Sequence, residues 1–419
     1  MNAVALEPRV RERVQQLGQV DLLVGIPSFN NARTIAHVVR AVQAGLAKYF
    51  PDQIAVIVNS DGGSSDDTMD VVQKSSVEDF NAILLHHRIA PISKITFPYS
   101  GIPGKGSAFR AVFDIAQSLD AKACAVVDSD LRSITPEWIE LLIKPVLNGG
   151  FDYVAPLYHR HKFDGTITNS IVYPLTRALY GKRVRQPIGG DFGFSGKLAQ
   201  FYLTQDVWDS DVARFGIDIW MTTTAIANDF KVAQSFLGAK IHDAKDPGAD
   251  LADMLYQVVG ATFELMENYS GKWLAVRESE PVPTFGFEYT VGLEHVNVNT
   301  ARMLTLFRDG LLSLREIWLS ILGAGDLKEV ERLAALKDSE FRFPPGLWSR
   351  IIYDYAIAFH LKKLPRVQLL KSLVPLYIGK TASFVLEVDP MAPQEVEAEI
   401  EKLCMEFESG KEYLLTCWK

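Results

Sequence analysis

The sequence ACAVVDSD, at residues 123–130, decides the fold of this chain. Its apolar run leads directly into two aspartates, which is the pattern of a buried strand that ends at a polar edge. Two similar runs precede it, DLLVGIPSF at residues 21–29 and IAVIVNSDGG at residues 54–63. Helical spacing follows the first run at residues 32–50, and the glycine-rich turn of GIPGKGSAFRAVFDIAQSL (residues 101–119) opens another helix. This alternation predicts an α/β fold, a mostly parallel sheet with helices on both faces.

Parallel sheets bind ligands at the carboxyl ends of their strands. In this chain three segments lie at those ends: Ser28–Asn31, Asp61–Asp67 and Asp128–Asp130. Apart from Phe29, they contain only polar residues and glycine. The sequence therefore predicts a ligand site at this edge of the sheet.

The remaining sequence predicts three parts. Residues 1–20 form an N-terminal helix, residues 21–279 form the α/β domain, and residues 280–419 form a mainly helical domain. The helical prediction rests on amphipathic spacing. One stripe of it consists of Met303, Phe307, Leu311, Leu314, Trp318 and Ile321. We interpret this stripe as core or dimer surface.

Composition excludes some classes of protein. The 419 residues carry 43 Lys and Arg against 51 Asp and Glu, a net charge of −8, which argues against nucleic acid as the main partner. The three scattered cysteines have no metal-ligand spacing and indicate reduced thiols. Charges interrupt every long apolar run, including those near the N-terminus, so we expect no signal peptide and no membrane span. These features predict a cytoplasmic protein.

Three motifs could carry chemistry, each with a plainer alternative. Asp128 and Asp130 are hard oxygen donors that could hold Mg²⁺ or Mn²⁺ against a diphosphate, or they could be solvated turn residues. The turn at Gly104-Lys105-Gly106-Ser107 could cradle a phosphate, or it could only begin a helix. The turn that starts at Asp61 could contact a base and ribose, or it could cap the next helix.

In this order, the motifs IPSFNN, DGGSSDDT, PGKGSAF and VVDSD resemble those of GT-A glycosyltransferases. The chain is similar in particular to the retaining synthases that make mannosylglycerate, glucosylglycerate or glucosyl-3-phosphoglycerate. The segments that carry this closer resemblance are VDSDLRSITPEWI, LYHRHKFDGTIT, RQPIGGD, FGIDIW and KIHDAKDPGADLADML. It covers about residues 20–270 and extends weakly into the helical tail. It implies a GT-A nucleotide-diphospho-sugar transferase fold, with a donor half at about 21–130 and an acceptor half at about 131–279.

The resemblance also implies a role for particular residues. The metal ion, Mg²⁺ or Mn²⁺, falls on Asp130 and His242. Positions near the transferred sugar and the leaving group, the implied catalytic set, are Asp191, Asp218 and Lys105. The implied donor-binding residues are Pro27, Ser28, Asn31, Asp61, Gly104, Lys105, Asp128 and Ser129. The implied acceptor-binding residues are Arg160, Thr168, Gly189 and Gly190.

The activity implied by the resemblance is a metal-dependent hexosyl transfer. Glucose or mannose would move from a GDP-, UDP- or ADP-linked donor to D-glycerate with retention, which makes a glycosylglycerate compatible solute. The alternatives are 3-phosphoglycerate as acceptor, an inverting transferase for a lipid or polysaccharide acceptor, and a non-catalytic sugar-nucleotide sensor. A subsite for the phosphate of 3-phosphoglycerate could lie at Lys182, Arg183 and Arg185. The helical tail offers apolar surface that a homodimer could bury, so a homodimer is a possible assembly.

The chain departs from the wider family after the first strand. Many relatives have an acidic FNEE-like run there, whereas this chain has Asn30, Asn31 and Ala32. The departure leaves the identity of the nucleotide open.

Overall fold

The computed structural model describes residues 8–75, 90–99, 103–242, 252–289, 296 and 298–418. The strands are, in chain order, β1 Leu22–Ser28, β2 Ala55–Asp61, β3 Ile92–Pro98, β4 Ala123–Val126, β5 Tyr153–His159, β6 Lys182–Arg183, β7 Phe192–Ser195, β8 Val232–Ala239, β9 Glu280–Pro281 and β10 Thr284–Phe285. The start of the predicted N-terminal helix (1–7) and residues 243–251 of the KIHDAKDPGADLADML motif lie outside the described residues.

The helices fall into two groups along the chain. The first group is α1 Pro8–Leu17, α2 Ile35–Tyr49, α3 Thr68–Lys74, α4 Lys105–Ser118, α5 Pro136–Leu147, α6 Tyr173–Tyr180, α7 Gly196–Leu203 and α8 Ile217–Ala227. The second group is α9 Ala252–Asn268, α10 Ser270–Trp273, α11 Thr300–Ile321, α12 Ala324–Ala334, α13 Pro345–His360, α14 Arg366–Ser372, α15 Val374–Val388 and α16 Pro393–Cys417. A π-helical turn at Thr168–Val172 precedes α6.

The described chain divides into two compact units, of which the first contains the main sheet. Eight strands are ordered β10-β8-β5-β7-β4-β1-β2-β3, and every pairing is parallel except those of β7 with β4 and β5. The predicted α/β class, a mostly parallel sheet flanked by helices together with a helical C-terminal region, is therefore confirmed.

Alternation along β1 sends its side chains to two helical layers. Leu22, Val24 and Ile26 are buried in one cluster with side chains of α2 and α5. A Cβ atom on Gly25 would lie 2.7 Å from Val112 of α4, so the opposite face packs against that helix. Burial on both faces explains why β1 has no polar residue before its end.

The second unit contains α6, α9 to α16 and the short parallel pair of β6 with β9. Three buried tryptophans each donate their indole N–H to a backbone carbonyl: Trp273 to Met266, Trp318 to Ser372 and Trp348 to Ser170. Of the predicted stripe, Met303, Phe307, Trp318 and Ile321 are buried, whereas Leu311 and Leu314 are only half-buried. Most of the stripe is therefore core.

The units divide elsewhere than at the predicted boundary of residue 280. Residues 160–185 and the described part of 244–281 belong to the helical unit, whereas the described part of 282–293 belongs to the sheet unit. The physical reason is pairing across long sequence distances. Strand β10 extends the sheet beside β8, and α6 packs against α16 in the helical unit.

Two further expectations bear on the environment of the protein. The cysteines Cys124, Cys404 and Cys417 are free thiols, as predicted. Among the described residues one helical stretch, Arg366–Val388, is long and apolar enough to cross a membrane by length and composition, but 72% of its most apolar window is buried inside the protein. That degree of burial is typical of a core helix.

Arg177 joins α6 to α16 within the helical unit. Its side chain is 1% exposed and forms two hydrogen bonds to Glu401, of 2.5 and 2.8 Å, and two to Glu408, of 2.8 and 3.3 Å. Its Nε also lies 3.2 Å from the Ser279 hydroxyl. Bidentate pairing of this kind compensates the burial of a guanidinium.

We predict that Arg177→Met destabilises the helical unit by about 2–3 kcal/mol, because the lost bonds are charge-assisted and the two remaining carboxylates are only partly buried. The measurement is the midpoint of chemical denaturation. Lys182→Met is the control, because Lys182 pairs with Glu280 in the same unit but at an exposed position, and it should leave the midpoint nearly unchanged. Equal midpoints for the two variants would contradict this account of Arg177.

Candidate active site

Polar residues from three strand ends lie at one edge of the sheet. Strands β4, β1 and β2 are neighbours and run parallel. Ser28 pairs in register with Asp61, and Asp128 follows β4 two residues after that strand ends. Because neighbouring parallel strands end on the same side, the fold brings these polar residues to one edge. Pro27 is buried within β1, opposite Ser60.

Asp61 is a fully buried carboxylate that organises the loop after β2. Its Oδ1 accepts hydrogen bonds from the backbone N–H groups of Gly63 at 2.9 Å and Ser64 at 2.7 Å. Its Oδ2 accepts from the hydroxyls of Ser28 at 2.8 Å and Ser64 at 2.7 Å. Both oxygens are engaged inside the protein, which favours the structural alternative for Asp61 over direct contact with a nucleotide.

Asn31 connects the loop after β1 to the turn that carries the two aspartates. Its Oδ1 accepts a hydrogen bond of 2.7 Å from the Ser129 hydroxyl and one of 3.0 Å from the Phe29 N–H. Thr34 donates its hydroxyl to the Ser129 carbonyl at 2.8 Å. The amide oxygen of Asn31 thus positions the turn that contains Ser129. This contact gives a structural role to one of the residues at which the chain departs from the family pattern.

The Gly104-Lys105-Gly106 turn is closely packed. The Gly104 N–H donates to the Tyr99 hydroxyl at 2.7 Å, and the Gly106 N–H donates to the Arg214 carbonyl at 3.2 Å. A Cβ atom on Gly106 would lie 1.8 Å from the Val212 carbonyl oxygen. These glycines and their N–H groups are therefore used to pack α4 against residues 212–214, which favours the helix-start alternative over a phosphate cradle.

The Lys105 side chain extends from this turn into an acidic cluster. Its ammonium lies 2.8 Å from Oδ1 of Asp128 and 3.2 Å from the carboxylate of Asp218 in the first turn of α8. Burial disfavours the charge of Lys105, but Asp128 and Asp218 hold its pKa above the ordinary value of a lysine. Lys105 is therefore a permanent cation between two carboxylates.

Lys240 holds the other oxygen of Asp128. Its ammonium donates to Oδ2 of Asp128 at 2.7 Å, to Oδ2 of Asp191 at 2.8 Å and to the Gly189 carbonyl at 2.8 Å. The side chain is 4% exposed, whereas that of Asp128 is 22% exposed. Asp128 is thus clamped between two ammonium groups and keeps one open face.

Asp191 lies beneath Asp128 and is 0% exposed. Its Oδ1 accepts from the Asp128 backbone N–H at 2.8 Å, and its Oδ2 accepts from Lys240 and from the Tyr158 hydroxyl. The resemblance implies that this residue is near the transferred sugar. Its complete burial and occupied oxygens instead give it the geometry of a group that positions Asp128 and Lys240.

The carboxyl groups of the cluster differ in their pKa values. Burial works against the charge of Asp128, yet Lys105 and Lys240 hold the pKa of Asp128 well below its usual range. Burial, followed by the nearby Asp128 charge, raises the pKa of Asp130. Burial also raises the pKa of Asp218, an effect that Lys105 opposes. Of Asp128, Asp130 and Asp218, Asp128 is therefore the most firmly ionised.

Asp130 and His242 are the candidate metal ligands. The Arg132 N–H donates to the Ile241 carbonyl at 2.9 Å, so the chain after Asp130 runs beside the segment that carries His242. Among the described residues, no three His, Cys, Asp or Glu side chains are placed to hold a metal ion by themselves. Mg²⁺ and Mn²⁺ are often held by one or two carboxylates together with substrate phosphates, a donor set that Asp130 fits, whereas an imidazole such as that of His242 suits Mn²⁺ better than Mg²⁺.

The implied acceptor residues belong to different units. Gly189 and Gly190 lie in the sheet unit, and Arg160 and Thr168 lie in the helical unit. Within the helical unit, Arg160 pairs with Asp164 at 3.2 Å, and Thr168 is the first residue of the π-helical turn. Such turns occur frequently at functional sites.

The basic cluster after α6 is paired within the helical unit. Lys182 contacts Glu280, Arg183 donates to the Ser279 hydroxyl at 2.9 Å, and Arg185 forms two hydrogen bonds with Glu397. These partners lower the attraction of the cluster for a phosphate.

Sequence reasoning missed Lys240 and Tyr158 in this cluster. The signals for Lys240 were its position at the end of an apolar strand and at the start of the KIHDAKDPGADLADML motif, two residues before His242. Tyr158 carried no signal, because a tyrosine in a strand is ordinary core.

Comparison with known proteins gives a family match over part of the chain. Residues 23–208 match the family model described as glycosyl transferase family 2. This stretch contains Asp61, Lys105, Asp128 and Asp191 of the site described above. The match covers less than half of the chain and agrees with the resemblance to GT-A glycosyltransferases over these residues. No curated protein sequence matches the chain significantly.

Several solved structures of glucosyl-3-phosphoglycerate synthase from Mycobacterium tuberculosis are similar to this chain. The complex with Mn²⁺, UDP and glucosyl-3-phosphoglycerate is 20% identical, with a TM-score of 0.44 over 61% of this chain and 84% of that chain. The complex with Mn²⁺, UDP-glucose and phosphoglyceric acid is 20% identical, with a TM-score of 0.44 over 62% and 82%. The complex with Mg²⁺ and UDP is 19% identical, with a TM-score of 0.44 over 61% and 83%.

We predict that Gly190→Ala lowers sugar transfer more than about tenfold, because Gly190 has φ +91° and a Cβ atom there would lie 2.2 Å from Oδ2 of Asp128. The measurements are turnover and thermal stability. Gly150→Ala is the control, because Gly150 has φ +70° with nothing within 4 Å of the added Cβ. Both variants should lose about 1–2 kcal/mol of stability from the left-handed backbone. Equal turnover in the two variants would contradict a role for this close contact.

Proposed function

We propose that this protein transfers a hexose, glucose or mannose, from a nucleotide diphosphate sugar to D-glycerate with retention of the anomeric configuration. The observation that carries the proposal is Asp128 between Lys105 and Lys240 at the carboxyl edge of the sheet, inside a glycosyltransferase domain. The closer motif resemblance to glycosylglycerate synthases supports the choice of acceptor.

Electrostatics support a diphosphate donor with a divalent cation. Among the described residues, the cluster combines the carboxyl groups of Asp128, Asp130, Asp191 and Asp218 with the ammonium groups of Lys105 and Lys240. A diphosphate adds further negative charge, so its binding needs a cation. Mg²⁺ or Mn²⁺ on Asp130 and His242 would neutralise the developing charge of the leaving diphosphate.

The state of the carboxylates supports retention without a protein nucleophile. Asp128 has an ammonium group on each oxygen, and Asp191 is fully buried. Asp218 is paired with Lys105. These groups are suited to hold and orient sugar hydroxyls or each other, and poorly suited to attack the anomeric carbon. In the proposal, the acceptor hydroxyl approaches the anomeric carbon on the same face of the sugar that the diphosphate leaves. The leaving phosphate oxygen takes the proton of that hydroxyl.

Arg160 and Thr168 hold the acceptor in this proposal. A guanidinium can bind a carboxylate through two parallel hydrogen bonds, which suits glycerate. The pairing of Lys182, Arg183 and Arg185 inside the helical unit favours glycerate over its 3-phosphate. We place the reaction in the cytoplasm, where free thiols such as those of this chain persist.

The test is a matrix of reactions with Mg²⁺ or Mn²⁺. GDP-mannose, GDP-glucose, UDP-glucose and ADP-glucose are each combined with D-glycerate and with 3-phosphoglycerate, and nucleotide release and the product anomer are followed. An α-linked glycosylglycerate from one pair is the expected result. Product only with 3-phosphoglycerate would replace the acceptor in the proposal, and a bound donor without transfer to either would favour the sensor alternative.

We predict that Asp130→Asn abolishes metal-dependent binding of the donor, because the variant lacks the anionic oxygen that attracts the cation. Donor affinity is titrated with and without Mn²⁺. Asp70→Asn, at an exposed aspartate of the same unit, should keep the wild-type dependence on Mn²⁺. Unaltered Mn²⁺ dependence in the Asp130 variant would refute its assignment as a ligand.

We predict that Arg160→Ala raises the KM for the acceptor about ten- to a hundredfold, because a charge-assisted pair contributes about 1.5–3 kcal/mol. Donor hydrolysis without acceptor should stay close to the wild-type rate. Arg302→Ala, at an exposed position of the helical unit, serves as the control. An unchanged acceptor KM would remove Arg160 from the acceptor site.

A further inference from the structure

Lys240 has a contact pattern unlike that of Lys105. Its three N–H groups match three acceptors, Asp128, Asp191 and the Gly189 carbonyl, at 2.7 to 2.8 Å. Its side chain is 4% exposed, whereas that of Lys105 is 15% exposed. Lys105 can therefore meet a ligand, and Lys240 is enclosed by protein.

We propose that Lys240 is a positioning residue that fixes the carboxylate of Asp128 in the orientation presented to the donor. The inference deepens the proposed function and rests on it, because it assumes that the open face of Asp128 contacts the donor sugar. Nothing in the motif resemblance assigned a role to this lysine.

The orientation of Asp128 depends on contacts at both of its oxygens. A carboxylate held at one oxygen can rotate about its side-chain bonds, and a second fixed partner removes that freedom. Lys240 supplies the second partner, at Oδ2, and leaves Oδ1 to Lys105. The glycine at position 190 permits this approach, because a Cβ atom there would lie 3.0 Å from the Lys240 ammonium and 2.2 Å from Oδ2.

Lys240 also connects the Asp128 turn to the loop before β7. It bonds to Gly189 and Asp191 in that loop, while Asp191 in turn accepts the Asp128 backbone N–H. The side chain and the backbone of Asp128 are thus set by one ammonium group and its partner carboxylate. A shift of about 1 Å in such a group can lower turnover about a hundredfold.

The experiment compares three variants of the full chain. Lys240→Met removes the ammonium, and Lys240→Arg keeps the positive charge but cannot direct three N–H groups to the same acceptors. Lys144→Met is the control, at an exposed lysine of the same unit. Turnover and acceptor KM are measured with the donor that the wild type uses, and the crystal structures of the two Lys240 variants are determined.

Both Lys240 variants should lower kcat about a hundredfold with less than about a threefold change in acceptor KM. In an Asp128→Asn background the same substitutions should lower kcat less than about threefold, because the two residues act as a unit. The crystal structures should show Asp128 displaced from its 2.8 Å contact with Lys105. Lys144→Met should match the wild type.

Full activity of Lys240→Arg would overturn the inference, because Lys240 would then act only as a counter-charge to buried Asp191. The inference would also be overturned if the Lys240 substitutions lowered kcat as much in the Asp128→Asn background as in the wild type. In that case Lys240 would not act through Asp128. If Lys240→Met does not fold, Lys240→Arg carries the test, since it retains the charge that Asp191 requires. If the wild type transfers no sugar, the proposed function fails by itself, and the position of Asp128 in the variant structures still decides the inference.

Discussion

The carboxylate of Asp128, held between the ammonium groups of Lys105 and Lys240, is the interaction on which the rest of the site depends. Charges as buried as these are tolerated only when they are paired and hydrogen-bonded. The pairs extend on both sides, to Asp218 through Lys105 and to Asp191 through Lys240. Removing one member would leave a buried charge uncompensated, so the loops that carry these residues are held in one mutual arrangement.

Close approach of the backbone makes this arrangement possible. Gly106 lets α4 begin directly against the carbonyl of Val212, which sets the starting point of the Lys105 side chain. Gly190, with its left-handed backbone, leaves room for Oδ2 of Asp128. Both positions require glycine because it has no side chain, and a Cβ atom there would overlap with an oxygen atom.

The charges of the site fall into a buried set and a set that solvent can reach. Asp191 and Lys240 are enclosed and satisfied by protein partners, so they fix geometry. Asp128, Lys105 and Asp218 keep a small exposed fraction, so a ligand can reach them. In the proposed reaction this separation lets the protein present oriented charge to a sugar and a diphosphate without reorganising at the moment of transfer.

The sequence by itself determined the alternation of strands and helices and the strand ends where a site would form, because hydrophobic period and turn residues are local properties. It also indicated the glycosyltransferase class, through four ordered motifs. Only the tertiary structure decided which carboxylates are buried and which lysine holds them. Lys240 lies 112 residues from Asp128 and 49 from Asp191, and no local pattern connects them. The sequence also could not predict that residues 160–185 belong to the helical unit. This assignment follows from contacts between α6 and α16, which are more than 200 residues apart in the chain.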